Sequence, residues 1–467
     1  MTSQRHSFAN LLIWENSGPH HVAKIISDGG KGGKSRHKDV RGGEGDFLNV
    51  PMVFRQDLRA GNEAPAQGKG CGDDMRIFVL GVGATGSLVA RLLVRQGHRV
   101  SCGDRDPARA RAFLGERPPF LPIQRVNARN LRDIVKAAKG CHLLINACPT
   151  VVNKVVIRAA LRLRAHYLDT ASHLRQHPFR PEQLSFDRRF QKIRRTALIH
   201  AGAAPGLTNV LAVHSARAIE TLEKIQIRLY EGTRSEGPVS QWSAEGSFEE
   251  AVSRPRLYRN GRFTLGKKFG EREKFQFPAP IGSVGVVLAA QDEVVTMPHV
   301  LHLHEMDAKI GGPDVERLRR WFRQGKLSRS HGLVVSRFPA TPTPPVMTRL
   351  VRGGILHNAR FAVAVLVYGK HRQRSMLIRW DALFPSLINL RRRGFACSPI
   401  AWGTAQITAV FVKNFPRNTP GVLLPESLPS AVHSKVLADV RARGIRLSKR
   451  VVRFKDPENS TRWEPRP

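Results

Sequence analysis

The sequence predicts an α/β chain, a doubly wound parallel sheet followed by an α+β region. Three observations predict it. Short apolar runs alternate with helical stretches from Met75 onward. Those runs lack in–out alternation, as strands covered on both faces do. Beyond about residue 220 the strands lengthen and begin to alternate, without regular helices between them.

In chain order, the first region should place strands at Ile77–Leu80, His98–Cys102, Ile123–Val126, Leu143–Asn146, His166–Leu168 and Ala197–Ala201. Helices are expected between them at Ser87–Gln96, Pro107–Leu114, Leu131–Lys139, Val151–Leu163 and Pro181–Arg194. Leu207–Ile219 reads as one more helix. In the second region Glu223–Tyr230 alternates, with Ile225, Ile227 and Leu229 on one face. Val300–His304 and Leu333–Val335 add strands, and Phe361–Tyr368 with Ser375–Trp380 reads as a hairpin closed by Gly369-Lys370-His371. The proline-rich Pro339–Pro345 is a stiff loop. Helices are expected again at Ile400–Val412 and Ser430–Arg443, the latter stopped by Gly444.

Chemistry concentrates in the first strand–turn–helix unit, Met75 to Val94. Gly81 permits a tight turn, Gly83 lets a pyrophosphate approach the backbone, and Gly86 lets helix pack on strand. The open N–H groups of Ala84 and Thr85, at the positive end of the helix, favour a diphosphate. Asp104, about 20 residues beyond the glycines, can accept the ribose hydroxyls of NAD; Arg105 beside it can instead hold the 2′-phosphate of NADP. Alternatively, Asp104 and Asp106 merely cap the helix begun by Pro107. The spacing defines a Rossmann fingerprint with NAD or NADP as cofactor. In such a sheet ligands lie beyond the carboxyl ends of the strands. That points to Asn127, to Asn146-Ala147-Cys148-Pro149, to Asp169-Thr170-Ala171-Ser172-His173 and to Gly202–Gly206. Asn127, Asn146 and Ala147 join the cofactor set by position, the Asn146 loop near the nicotinamide ribose.

Composition narrows the classes. The longest apolar stretches are strand-length, so no membrane span is expected. Cys71, Cys102, Cys141, Cys148 and Cys397 form no C-x-x-C pair and suggest free thiols in a reducing, cytoplasmic setting. The formal charge of +39 draws anions, yet no nucleic-acid-binding signature accompanies it, and solvated basic surface is the plain reading. Residues 1–74, rich in Gly, Ser, His and Asn, are expected to be a disordered extension. The Gly/Lys run at Gly29–Lys34 lacks the strand and closing G-K-[ST] of a phosphate loop, and translation is expected to begin at Met75.

Six ordered pieces resemble the saccharopine dehydrogenase family, in the wider sense that includes lysine 6-dehydrogenase-like and carboxynorspermidine dehydrogenase-like reductases. They are Gly81–Gly86, Asp104-Arg105-Asp106, Ile145–Pro149, His166–Ala171, Gly202–Asn209 and Gly421–Glu426 with its following helix. The resemblance covers most of residues 75–447. It implies a Rossmann domain with an inserted α+β domain, a homodimer, and hydride transfer at a C–N bond of an amino-acid-like or polyamine-like substrate bearing amine and carboxylate groups. The implied division is an extension at 1–74, a dinucleotide-binding domain at 75–206, a substrate and dimerisation domain at 207–398, a returning segment at 399–447 and a tail at 448–467. The chain departs from the family pattern at Ala204, where an acid often precedes Pro-Gly, at Asn127, where an Asp is common, and at Asp292-Glu293, where relatives often show His-Glu.

Hydride transfer needs donor and acceptor carbons about 3–3.5 Å apart in a dry pocket and one group to handle the amine proton. Asp169 is the first candidate for that group; capping of the next segment is its bland alternative. Cys148 is a second candidate beside the nicotinamide, set against simple packing. Thr170, Pro205, Gly206 and Trp242 are the candidate substrate contacts. His299, His302 and His304 invite a metal reading, but spacing supplies no third ligand, and no metal is expected. A short-chain-type reductase needs Tyr-x-x-x-Lys, and none of Tyr167, Tyr230, Tyr258 or Tyr368 has that Lys. The alternative function is a dinucleotide-binding sensor or scaffold whose basic face meets an acidic partner.

Overall fold

The computed structural model describes residues 74–115, 120–174, 176–326 and 339–454. The first half alternates strand and helix: β1 (Arg76–Leu80), α1 (Ala84–Arg95), β2 (Arg99–Asp104), α2 (Pro107–Leu114), β3 (Ile123–Arg125), α3 (Leu131–Ala137), β4 (Leu143–Asn146), α4 (Asn153–Leu163), β5 (His166–Asp169), α5 (Asp187–Lys192), β6 (Thr196–Leu198) and α6 (Leu207–Ala216). Burying Ile77, Phe78, Val79 and Leu80 of β1 stabilises by roughly 6–12 kcal/mol in transfer terms. Asp106 starts α2 by accepting from the backbone N–H of Arg109 at 3.0 Å, and Asn130 starts α3 in the same way with Arg132 at 2.9 Å.

The second half contains β7 (Thr221–Ser235), α7 (Ala244–Val252), β8 (Arg256–Arg259), β9 (Arg262–Leu265), β10 (Glu273–Gln276), β11 (Ser283–Leu288), α8 (Glu293–Val300), β12 (Glu305–Gly311), α9 (Pro313–Arg323) and α10 (Pro344–Arg352). It continues through β13 (Leu356–His371), β14 (Arg374–Leu383), α11 (Leu387–Arg392), α12 (Pro399–Lys413), β15 (Gly421–Leu423), α13 (Ser430–Ala442) and β16 (Arg446–Arg453).

Two sheets result. The first is parallel, in the order β15-β6-β5-β4-β1-β2-β3; the second is mixed, in the order β10-β11-β12-β7-β13-β14-β16, with β8 and β9 attached beside β12. The order of the first reverses at β1, which is the crevice where such sheets take ligands. Ile225, Ile227 and Leu229 point into the core shared with α6, as their alternation requires. α12 packs on α1, and α6 lies on β13, so helices join the two sheets.

Several elements differ from the sequence expectation. Regular helices (α7, α8, α9, α10) do punctuate the second region; each is short, 8 to 11 residues, and α9 is rich in Arg, Asp and Glu. Residues 300–304 are not a strand. α8 runs to Val300, and the strand that follows begins at Glu305, so His302 and His304 lie in a connection. Leu333–Val335 falls outside the described residues. The hairpin is closed by Arg372-Gln373, both at positive φ (49° and 61°), because β13 and β14 stay paired to His371–Arg374. Gly369 sits inside β13 next to a register shift, where a Cβ would lie 2.2 Å from the Thr221 carbonyl oxygen. Residues 448–453, expected as tail, belong to β16, whose Lys and Arg side chains protect an exposed sheet edge. Residues 455–467 of the tail and the extension up to residue 73 lie outside the described residues.

Candidate functional site

The glycine loop is built by exclusion. A Cβ on Gly86 would stand 1.9 Å from the Gly81 carbonyl oxygen, and one on Gly81 2.8 Å from the Ala147 backbone and from Cys148 Sγ. Nothing lies within 4 Å of the position a Cβ would take on Gly83. The protein closes on two of the glycines and leaves the third facing open space. α1 begins at Ala84 with no side-chain cap, so its first-turn N–H groups, including that of Thr85, are available to an anion. Asp104 is half-buried and ties the loop to β2: its carboxylate accepts from Val82 N at 2.7 Å and from Asp106 N at 2.9 Å. Helix capping belongs to Asp106. Arg105 is exposed beside it. These features fit a dinucleotide, with the pyrophosphate over Gly83 and the adenosine ribose near Asp104.

The neighbouring candidates separate into backbone and side-chain roles. Asn127 is exposed at the sheet margin, and its Oδ1 accepts from Arg129 N at 3.0 Å in a local turn. Asn146 is buried, and its amide is spent inside the fold: Nδ2 donates to Asn153 Oδ1 at 2.9 Å and to Tyr167 Oη at 3.1 Å, while Oδ1 accepts from Cys148 N at 3.1 Å. What this loop presents toward the glycines is the Ala147 backbone, with Ala147 N donating to the Leu80 carbonyl at 2.8 Å. Burial pushes the Cys148 thiol up to about 12, and the charge on Asp104 adds to the shift. The thiol stays protonated and is a poor nucleophile.

Asp169 is a hub. It is 1% exposed and accepts from Tyr167 Oη at 2.9 Å, Gln183 Nε2 at 3.0 Å and His200 N at 3.1 Å. Burial raises its pKa to about 7, against the pull of those donors. Ringed by protein groups, it orients β5 against β6. Thr170 and the Gly202–Gly206 loop meet just beyond: Gly202 N donates to the Pro205 carbonyl at 3.1 Å, and Gly206, at φ 129°, donates its N–H to Asn209 Oδ1 at 2.8 Å.

Sequence reasoning missed the feature opposite these loops. A cavity of about 80 Å³ opens in the α+β region, lined by Glu231, Trp242, Glu250, Phe269, Asp314 and Trp321 among others. Burial, then Glu250 and Asp314, push Glu231 well above the usual carboxylate range. Burial likewise raises Glu250 to about 7, although Gln291 Nε2 donates to it at 2.6 Å. Asp314 is held by Gln241 Nε2 at 3.2 Å and by Arg317. Crowded carboxylates among aromatic rings are relieved by an incoming cation. Trp242 holds its place because its ring fills the space where a Cβ on Gly246 would lie and because Thr341 Oγ1 donates to its carbonyl. Glu231 and Glu250 come from a strand and a helix, and only the fold brings them together. Of the histidines, His299 packs on the Phe263 ring. Among the described residues no group of three or more His, Cys, Asp or Glu side chains is arranged to hold a metal.

A second pair of acids lies where the sheets join. Thr208 Oγ1 of α6 donates to Glu293 Oε1 at 2.7 Å, and Asn209 Nδ2 to Glu426 Oε2 at 2.9 Å. Burial raises Glu293 to about 8 and Glu426 to about 7.

Fold and site together define a dinucleotide-binding protein of the Rossmann type, joined to an α+β domain that carries an acidic, aromatic cavity. Residues 77–198 match the family model of the saccharopine dehydrogenase NADP-binding domain, and the resemblance read from the sequence holds for that domain. Carboxynorspermidine synthase of Vibrio alginolyticus is 24% identical over 227 residues, covering 46% of this chain and 53% of that protein. The chain thus matches about half the length of this curated relative. Saccharopine dehydrogenase (L-Glu forming) from Saccharomyces cerevisiae superposes with a TM-score of 0.60 at 12% identity, over 81% of this chain and 100% of that one. Homospermidine synthase from Legionella pneumophila, solved in complex with NAD, superposes with a TM-score of 0.56 at 13% identity, over 81% and 91%. The two solved structures establish the shared fold.

Proposed function

We propose that this protein is an NAD(P)-dependent oxidoreductase acting on a C–N bond of an amino-acid-like or polyamine-like amine. The observation that carries the proposal is the cavity of Glu231, Glu250 and Asp314 with Trp242, linked by two hydrogen bonds through Gln291-Asp292 to the β5 loop of a dinucleotide-binding sheet. Glu250 receives Gln291, and the next residue, Asp292, receives Ser172 N at 2.8 Å. The cofactor, when bound, takes up or gives a hydride at its nicotinamide ring. The protein's task is to hold the substrate ammonium by charge and ring face, exclude water, and move one proton. Arg317, beside Asp314 on the cavity wall, offers a counter-charge for a substrate carboxylate.

The same reading takes residues 75–206 with the returning segment 399–447 as the cofactor domain and 207–398 as the substrate domain. It assigns Gly81, Gly83, Ala84, Thr85, Gly86, Asp104 and Arg105 to the cofactor, and Trp242 with the Thr170 and Pro205-Gly206 loops to the substrate. It includes a homodimer and a cytoplasmic location, the latter supported by free cysteines such as buried Cys102 and Cys397. No helix among the described residues is long and apolar enough to cross a membrane.

Titration of NAD(H) and NADP(H) at two salt concentrations tests the proposal, followed by a turnover screen of amino acids and diamines. Tight, salt-insensitive binding of one dinucleotide with turnover of an amine is expected. Weak binding of both that fades with salt would leave only the basic surface and remove the reading. Tight binding without turnover of any amine or imine would favour a sensor.

A further inference from the structure

Three residues from three different segments meet at the seam between the β5 loop and α8. Ser172 follows β5, His200 follows β6, and Asp292 immediately precedes α8. Ser172 Oγ is 2.5 Å from His200 Nε2, Ser172 N donates to Asp292 Oδ2 at 2.8 Å, and His200 Nε2 stands 3.8 Å from the same oxygen. His200 is fully buried, yet its Nδ1 has no hydrogen-bond partner among the described residues. The chain also holds this non-glycine residue at φ 63°, in the left-handed region that costs an ordinary side chain energy. The backbone N–H of His200 is anchored on Asp169. A strained backbone and an unpaired buried nitrogen are expensive ways to fill a core. They are economical if the imidazole must face a particular oxygen.

The surroundings point the same way. Asp292 keeps 11% of its side chain exposed, which His200 does not. Its charged neighbours are Glu250 of α7 and Arg256 of β8 on the cavity side, Asp169 on the β5 side, and Glu293 next in the chain. The trio therefore lies between the amine cavity and the carboxyl ends of β5 and β6. Asp169, the obvious acid at that end, is enclosed by its own donors.

Resting on the oxidoreductase reading, we propose that Asp292 takes the proton from the substrate ammonium, with Ser172 and His200 as positioning residues that fix its carboxylate. In that step one N–H bond breaks, its electron pair stays on nitrogen, and an O–H bond forms on Asp292. The freed nitrogen pair would assist loss of hydride from the adjacent carbon, for which a dinucleotide held at the Gly81–Gly86 loop would supply the acceptor. In the reverse direction Asp292 returns the proton to the amine. His200 stays neutral, because burial lowers its pKa even against the charge on Asp292. Its Nε2 and the Ser172 hydroxyl can thus share one proton next to the carboxylate.

The test uses the full chain saturated with its oxidised dinucleotide and two probes, 1,4-diaminobutane and lysine. Dinucleotide affinity of Asp292→Asn is expected to be unchanged. Amine oxidation by Asp292→Asn should fall about 100-fold or more, and the acid limb of its kcat/KM profile should disappear. Ser172→Ala and His200→Gln should move that limb without abolishing turnover, and Ser172→Thr, which keeps the hydroxyl, should restore it. Undiminished amine oxidation by Asp292→Asn, or an unmoved acid limb in all the variants, overturns the proposal. If the wild type binds dinucleotide but neither probe, the amine reading itself falls and takes this proposal with it. Thermal melting guards against misfolding of the His200 variant, and the isosteric Asp292→Asn decides if that variant fails to fold.

Discussion

The glycine loop and the acidic cavity are two ways of making a binding site. The loop occupies one stretch of chain, and its specificity lies in what is missing: no side chain on Gly83, no cap on α1. The cavity gathers Glu231 from β7, Glu250 from α7 and Asp314 from α9, residues 83 positions apart at the extremes. It works by what is present and uncomfortably close. A phosphate site made from backbone can be written locally, because helix N-termini need no partner from elsewhere. An ammonium site made from raised carboxylates needs the tertiary fold to force them together.

The sharpest way to break the comparison is Gly83→Val. The side chain would enter space the protein leaves open, so the fold should survive while dinucleotide binding is lost by a factor of 100 or more, on the order of 3 kcal/mol. Calorimetry for binding and thermal melting for stability check both halves; unchanged affinity would refute the loop assignment. Gly86→Val is the control, since its side chain meets the Gly81 backbone and should unfold the domain.

The joint between the regions comes next. Glu293 has a folded pKa of about 8, raised by burial from an ordinary 4.5. Its neutral form is the one the fold accepts, so this stability is full at acid pH and is lost as pH rises through the folded value. Between pH 6 and pH 8.5 the loss should be about 2–3 kcal/mol. Glu293→Gln should flatten that slope in urea melts taken across the range, and an unchanged slope would place the titration elsewhere.

For the cavity, Glu250→Gln should raise the KM for the amine by roughly 30-fold, about 2 kcal/mol for a lost charged contact, while dinucleotide affinity stays put. Parallel loss of both affinities would mean the two sites are not separable. The smallest effect is expected at Asp104→Ala, about 1–2 kcal/mol in dinucleotide binding. Part of that loss should appear as a looser glycine loop, because Asp104 also holds Val82 N. No loss would leave Asp104 with a structural task alone.

The division between local and assembled sites explains what the sequence disclosed. The parallel sheet was legible because each strand is a short apolar run separated from the next by a helical stretch, and one helix, at Pro107, carries its own start signal in Asp106. The glycine loop was legible for the same reason. The roles of Asn146 and Asp169 were not: position put them beyond strand ends, but only the fold turns the Asn146 amide inward onto Tyr167 and encloses Asp169 with Gln183 and the His200 backbone. The hairpin turn was misread because Gly369 looks like a turn residue, whereas it serves a close approach to Thr221. His302 and His304 seemed to share a strand face because α8, with Pro298 inside it, gave no clear helix signal.

The strand order has a consequence for how this protein is made. The parallel sheet takes its last strand from residues 421–423 and the mixed sheet from residues 446–453. A ribosome delivers the chain from the other end, so β6 and β14 emerge long before the strands that cover them. Until then each presents a raw row of N–H and C=O groups to its surroundings. Loss of the segment after residue 420, by early termination or proteolysis, would therefore open two sheets at once. The expected product is an aggregating fragment, even though every residue of the glycine loop and the cavity would still be in it.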